Sequence, residues 1–226
     1  IMYHAQLSLF GFKLFKGGFI GVDIFFVISG YLISSIIFRE IFSTGSFNYQ
    51  YFYERRIRRI LPPLLVVMIA SLPIAWLYLL PSDHISFSKS ILYSLGISSN
   101  FYFNSIGQQY WAVSGLYIPF LHTWSLSIEE QFYLIFPLII LISFRYFRQY
   151  LIYILIAGFV LSLTIADWGS RSDSSFTYYF LITRAWELLA GTLLAYFEIT
   201  RSRKSKIKIF NLILPSIGFI LLIYCK

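Results

Sequence analysis

An all-α, polytopic transmembrane helix bundle is the fold class this sequence predicts, on two observations. Of its 226 residues, 58% are hydrophobic and only 12% are charged, whereas soluble domains sit nearer half apolar and a quarter charged. The apolar residues also gather into runs long enough to cross a bilayer, whose core takes about 20 helical residues at 1.5 Å each. About seven spans are expected: a remnant Ile1–Phe12, then Phe19–Phe38, Ile60–Leu80, Trp124–Phe144, Tyr150–Ala166, Tyr179–Phe197 and Ile207–Tyr224. The first and last runs read as truncated, so residues 1–226 are expected to form one membrane domain incomplete at both ends. The single cysteine excludes an internal disulfide.

Taken in order, Phe19–Phe38 holds one charge, Asp23, and its Gly17-x-x-x-Gly21 lead-in suits close helix packing. A polar bridge, Arg39–Arg59, follows with five arginines, four of them packed into Arg55, Arg56, Arg58 and Arg59. Arg145 and Arg148 flank a later turn, and Arg201 to Lys208 holds five more basic residues. Lys and Arg concentrate in cytoplasmic loops, so these three segments are placed on one side. That placement requires Pro81–Thr123 not to cross. Its middle, residues 84–103, is rich in Ser and Asn and is expected to be re-entrant or interfacial on the outer face, where protein or a water-filled cavity must surround it. The net charge of +8 follows from this topology, and no nucleic-acid module is recognisable.

Several groups could carry chemistry. Ionisable residues inside a span are costly and are functional by default. His4 could take a proton from a hydroxyl, with Asp23 at similar depth fixing its tautomer; alternatively His4 packs between helices and Asp23 complements a helix N-terminus. The four arginines read as part of an amphipathic helix and either satisfy topology, meet anionic lipid headgroups or bind a ligand's phosphate through bidentate hydrogen bonds. His122–Leu134, HTWSLSIEEQFYL, places Trp124, Glu129 and Glu130 at the outer end of a helix. Such carboxylates and flat rings suit a carbohydrate, although Ser127 and Glu130 also have capping-box spacing. Arg184 and Glu187 stand at i, i+3, where they could form an ion pair or join that cluster. The segment Asp167–Thr177 reads as a solvated loop. There is no metal-ligand spacing, no phosphate-cradling glycine loop and no serine elbow.

Together these strings resemble the acyltransferase type 3 family of membrane O-acetyltransferases: MYHA, GGFIGVDIFFVISGYLIS, YERRIRRILP, FLHTWSLSIEEQFYLIFPL and RAWELLAG, in that order. The resemblance implies a multi-pass inner-membrane enzyme transferring acetyl from cytoplasmic acetyl-CoA to an extracytoplasmic surface polysaccharide such as lipopolysaccharide O-antigen. It implies His4 as acid/base and Arg55, Arg56, Arg58 and Arg59 as the acetyl-CoA site; Asp23, Trp124, Glu129 and Glu130 match motif positions of less settled role. The expected partners are acetyl-CoA, a glycan acceptor and lipid, with no bound cofactor and no metal. Some relatives append a soluble extracytoplasmic SGNH-type domain, which these residues do not contain. A proton-coupled transporter or flippase is the alternative, since intramembrane His and Asp also build proton relays.

Overall fold

The computed structural model describes residues 8–9, 12–13, 20–110, 119–201, 216 and 218. Between residues 20 and 201 the described residues form eight α-helices: α1 Ile20–Thr44, α2 Tyr49–Tyr78, α3 Pro81–Leu95, α4 Ser99–Tyr110, α5 Thr123–Tyr146, α6 Leu151–Ser172, α7 Ser174–Tyr179 and α8 Leu181–Arg201. Among the described residues, five helical segments are long and apolar enough to cross a membrane: Ile20–Thr44, Tyr49–Tyr78, Thr123–Tyr146, Arg148–Ser172 and Ser174–Thr200. They match the five inner spans read from the sequence. Of the terminal runs, Ile207–Tyr224 lies outside the described residues apart from helical Ser216 and Gly218. Ile1–Phe12 is not helical where it is described. There Ser8–Leu9 pairs antiparallel with Phe12–Lys13.

Two helix starts depart from expectation. The Arg39–Arg59 bridge is not a loop. α1 continues to Thr44, and α2 begins about three turns before Ile60, where the Asn48 side chain accepts from the Tyr51 amide at 3.1 Å. The arginines ride on a helix, as their amphipathic reading expects, but that helix is the start of the span itself. Likewise α5 begins at Thr123, so Ser127 is no cap. It sits a turn inside, with its hydroxyl 2.8 Å from that of Ser99. The Asp167–Thr177 segment is also helical, interrupted only at Asp173, whose carboxylate caps α7 through the Phe176 amide at 3.0 Å.

The chain divides into two compact units, one of residues 1–38 with 187–226 and one of residues 39–186. In the first, α1 and α8 meet backbone to backbone. A Cβ on Gly30 would overlap the Leu188 carbonyl, and one on Gly191 would overlap that of Val27. By contrast, a Cβ on Gly21 would meet nothing among the described residues, and Gly17 lies outside them. Ser34 and Thr192 hydroxyls lie 2.7 Å apart in this buried seam, and Tyr31 donates to Glu198 at 2.5 Å.

In the second unit, α3 and α4 explain their serines. They have 15 and 12 residues, about 22 and 18 Å of helix, short of the ~30 Å a core requires. Instead they lean on α5. Thr123, Ser127 and Gln131 recur every four residues along one α5 face and meet Ser94, Ser99 and Asn100 at 2.7, 2.8 and 2.9 Å. Gln131 also donates to the Ile97 carbonyl at 2.9 Å. Ile97 has φ 54°, a left-handed conformation costly for a β-branched residue and held only where surroundings impose it.

Candidate active site

Within the second unit, the first turns of α2 sort the four arginines. Arg55, Arg58 and Arg59 are exposed, whereas Arg56 turns inward with 18% of its side chain accessible. Helix geometry accounts for this: Phe52 and Arg56 share a face four residues apart, and Phe52 is buried. On the outer face, Arg58 pairs with Glu54 at 2.6 Å, and Arg55 lies 4.5 Å above the Tyr51 ring. Such exposed pairs contribute about 0–1 kcal/mol, so these groups remain cheap to redirect toward an anion.

Arg56 is held differently. It donates to Glu130 at 3.2 Å, and its guanidinium carbon sits 3.7 Å from the Tyr133 ring centroid. Tyr53 donates to the Tyr133 and Leu134 carbonyls at 3.0 and 3.2 Å, pinning the same turn of α2 to α5. The sequence reading placed this arginine and this glutamate on opposite sides of the membrane. The ion pair joins them, because Arg56 lies inside α2 and Glu130 lies about 10 Å into α5. Glu129, one residue earlier, is buried.

A second cluster gathers at the start of α5. Trp124 packs against Tyr178 and Tyr179 with centroids 4.6 and 5.6 Å apart. The Arg184 guanidinium lies 5.0 Å from the Tyr178 ring and 6.0 Å from Trp124, and its Nε donates to the Tyr178 carbonyl at 3.4 Å. Trp124 and Arg184 thus come together, whereas Glu130 pairs with Arg56 instead. Trp124, however, is only 5% exposed, whereas Tyr178 is 41% exposed. The ring open to a ligand is the tyrosine, which the sequence reading did not single out.

The remaining predicted residues stand in the first unit or outside the description. Asp23 occupies the first turn of α1, half-buried, where its charge complements the helix N-terminus. Glu187 is fully buried in α8. His4 lies outside the described residues, and with it the expected His4–Asp23 relation. Among the described residues, no group of three or more His, Cys, Asp or Glu side chains could hold a metal. Sequence reasoning missed Tyr49, Tyr53 and Tyr133, although Tyr49, Tyr53 and Arg56 share one helical stripe once Asn48 is recognised as the cap.

Comparison with known proteins bears on this arrangement. A family model described as an acyltransferase domain matches residues 1–225. An uncharacterised protein of Haemophilus influenzae is 36% identical over 90% of this chain and 85% of its own length. The peptidoglycan O-acetyltransferase OatA of Listeria monocytogenes is 36% identical over 87% of this chain and 31% of its own. The O-acetyltransferase OatA of Staphylococcus aureus is 32% identical over 98% of this chain and 37% of its own. This chain therefore spans about a third of those two acetyltransferases. No solved structure matches it. A match across nearly every residue places this chain in the acyltransferase type 3 family.

Proposed function

We propose that this chain is the membrane part of an O-acetyltransferase that takes acetyl from acetyl-CoA at the cytoplasmic face and delivers it to a hydroxyl of an envelope polysaccharide. The observation that carries the reading is the exposed set Arg55, Arg58 and Arg59 on the first turns of α2. Three guanidinium groups against one carboxylate, Glu54, make an anion site suited to the phosphates of a coenzyme A donor. Tyr178 and Arg184 offer a flat ring and a cation to an acceptor sugar.

In the reaction, the acceptor hydroxyl oxygen attacks the thioester carbonyl carbon. The carbon–sulfur bond breaks, and coenzyme A leaves as the thiol. The His4 imidazole would take the hydroxyl proton and return it to the departing sulfur. The Listeria relative's name points to peptidoglycan as acceptor; lipopolysaccharide O-antigen is the other candidate glycan, and both carry the same kind of alcohol.

Mass spectrometry of envelope glycans, with and without the full-length gene product, tests the reading and identifies which glycan gains acetyl. His4→Ala should abolish that acetylation while the protein still inserts normally; unchanged acetylation would remove His4 from the mechanism. Glycan acetylation that is indifferent to the gene product, in a protein that consumes no acetyl-CoA, would favour a proton-coupled transporter instead.

A further inference from the structure

The α2 stripe that carries Arg56 also carries Tyr53 and Tyr49, at positions i, i+4 and i+7 of one helix face. Tyr53 and Arg56 both bond α5, and the Tyr49 ring lies beside Tyr53 with centroids 6.3 Å apart and planes 13° from parallel. Two donors in this stripe, the Tyr49 hydroxyl and Arg56 Nε, are buried without a hydrogen-bond partner among the described residues. Buried polar groups are almost always paired, and exceptions ask for an explanation. Two on one stripe point to a ligand.

Charge balance identifies its class. Glu130 already neutralises Arg56 at 3.2 Å, so a phosphate entering here would face a carboxylate in a poorly hydrated setting and be repelled. Carbonyl and amide oxygens bring lone pairs without charge, one for each donor. The outward arginines present the opposite balance, three cations to one carboxylate. We propose that Tyr49 and Arg56 each bind a neutral carbonyl or amide oxygen on the acyl donor's arm, while Arg55, Arg58 and Arg59 take its phosphates. Glu130 is then a positioning residue that keeps Arg56 turned inward. This assignment rests on the coenzyme A donor reading given above.

The test measures binding of coenzyme A, and of pantetheine as the amide arm without nucleotide phosphates, to the full-length protein in detergent by titration calorimetry. Tyr49→Phe removes one oxygen and keeps the ring. Arg56→Lys keeps a cation opposite Glu130 and removes Nε. Each should weaken coenzyme A and pantetheine alike by fivefold or more, whereas Arg58→Ala with Arg59→Ala should weaken coenzyme A alone. Should Arg56→Lys fail to fold, Tyr49→Phe decides. Wild-type protein that binds coenzyme A, with Tyr49→Phe and Arg56→Lys within twofold of it, overturns the division of roles. Wild-type protein that binds no coenzyme A overturns the donor reading and this assignment together.

Discussion

Arg56 on α2 donates to Glu130 on α5 at 3.2 Å while lying against the Tyr133 ring at 3.7 Å. A guanidinium stacked on an aromatic face and paired with a carboxylate is fixed on two sides. Both side chains keep less than a fifth of their surface in contact with solvent. Removing one partner leaves the other's charge poorly solvated, so Glu130→Leu should destabilise the protein by about 2–3 kcal/mol, toward the low end for buried pairs. Pairing Arg56→Leu with Glu130→Leu should recover part of that loss. Thermal unfolding in detergent, run as a double-mutant cycle, should give a coupling of at least about 1 kcal/mol; additive losses would mean the pair is incidental.

The outward arginines should behave in the opposite way. Arg55, Arg58 and Arg59 are exposed, and surface substitutions of this kind shift stability by within about 0.5 kcal/mol. Replacing all three with Ala should leave the unfolding midpoint nearly unchanged and raise KM for acetyl-CoA at least tenfold. Lysine at the same positions should restore only part of the affinity, because a point charge cannot make the bidentate contact. Full recovery with Lys would reduce the patch to a topology signal.

Glycine offers a contrast within one unit. Gly30 and Gly191 each face a carbonyl of the neighbouring helix that a Cβ would overlap, while Gly21 faces open space. Gly30→Ala and Gly191→Ala must push α1 and α8 apart and break the contact between the Ser34 and Thr192 hydroxyls, which is 2.7 Å long. A loss of about 1–3 kcal/mol is expected for such overpacking, against a near-neutral or slightly stabilising Gly21→Ala. Unfolding midpoints of the three variants decide.

How much of this was legible follows the kind of signal. The α1, α5 and α6 spans were readable because uninterrupted apolar runs fix them, whatever their neighbours. The arginine cluster was legible as helical, but the start of α2 at Tyr49 was not, since its first turn is aromatic and only the Asn48 cap marks it. Serine and asparagine in residues 84–103 signalled something other than a plain span. Their partners, Thr123, Ser127 and Gln131, lie about 30 residues away and emerge only from the fold. Spacing alone did not single out Gly30 and Gly191, because close approach depends on the partner helix. The rings that meet Trp124 come from Tyr178 and Tyr179, more than 50 residues away, so which of them stays exposed is a tertiary fact.

The turn at Ile97 gives a prediction free of any functional assumption. Its φ of 54° costs a β-branched residue about 1–3 kcal/mol, and its side chain is 46% exposed, so little packing is lost on truncation. Ile97→Gly should therefore stabilise the protein slightly or leave it unchanged, where most substitutions destabilise. Gln131→Leu should cost about 1–3 kcal/mol, because the Ile97 carbonyl and the Asn100 side chain lose their donor. In the double variant the penalty of Gln131→Leu should shrink, since glycine holds the turn unaided.

The exposed ring beside Trp124 separates structure from acceptor binding. Trp124 is buried against Tyr178 and Tyr179, so Trp124→Ala should cost about 3–5 kcal/mol and act mainly through folding. Tyr178 is 41% exposed with the Arg184 guanidinium 5.0 Å from its ring. Tyr178→Ala should cost little stability yet raise KM for the glycan acceptor severalfold, with KM for acetyl-CoA unchanged; Tyr178→Phe should retain most of the acceptor affinity, because stacking needs the ring and not the hydroxyl. Steady-state kinetics with both substrates varied would reveal the split. An equal rise in both constants, or none in either, would place acceptor recognition elsewhere in the bundle.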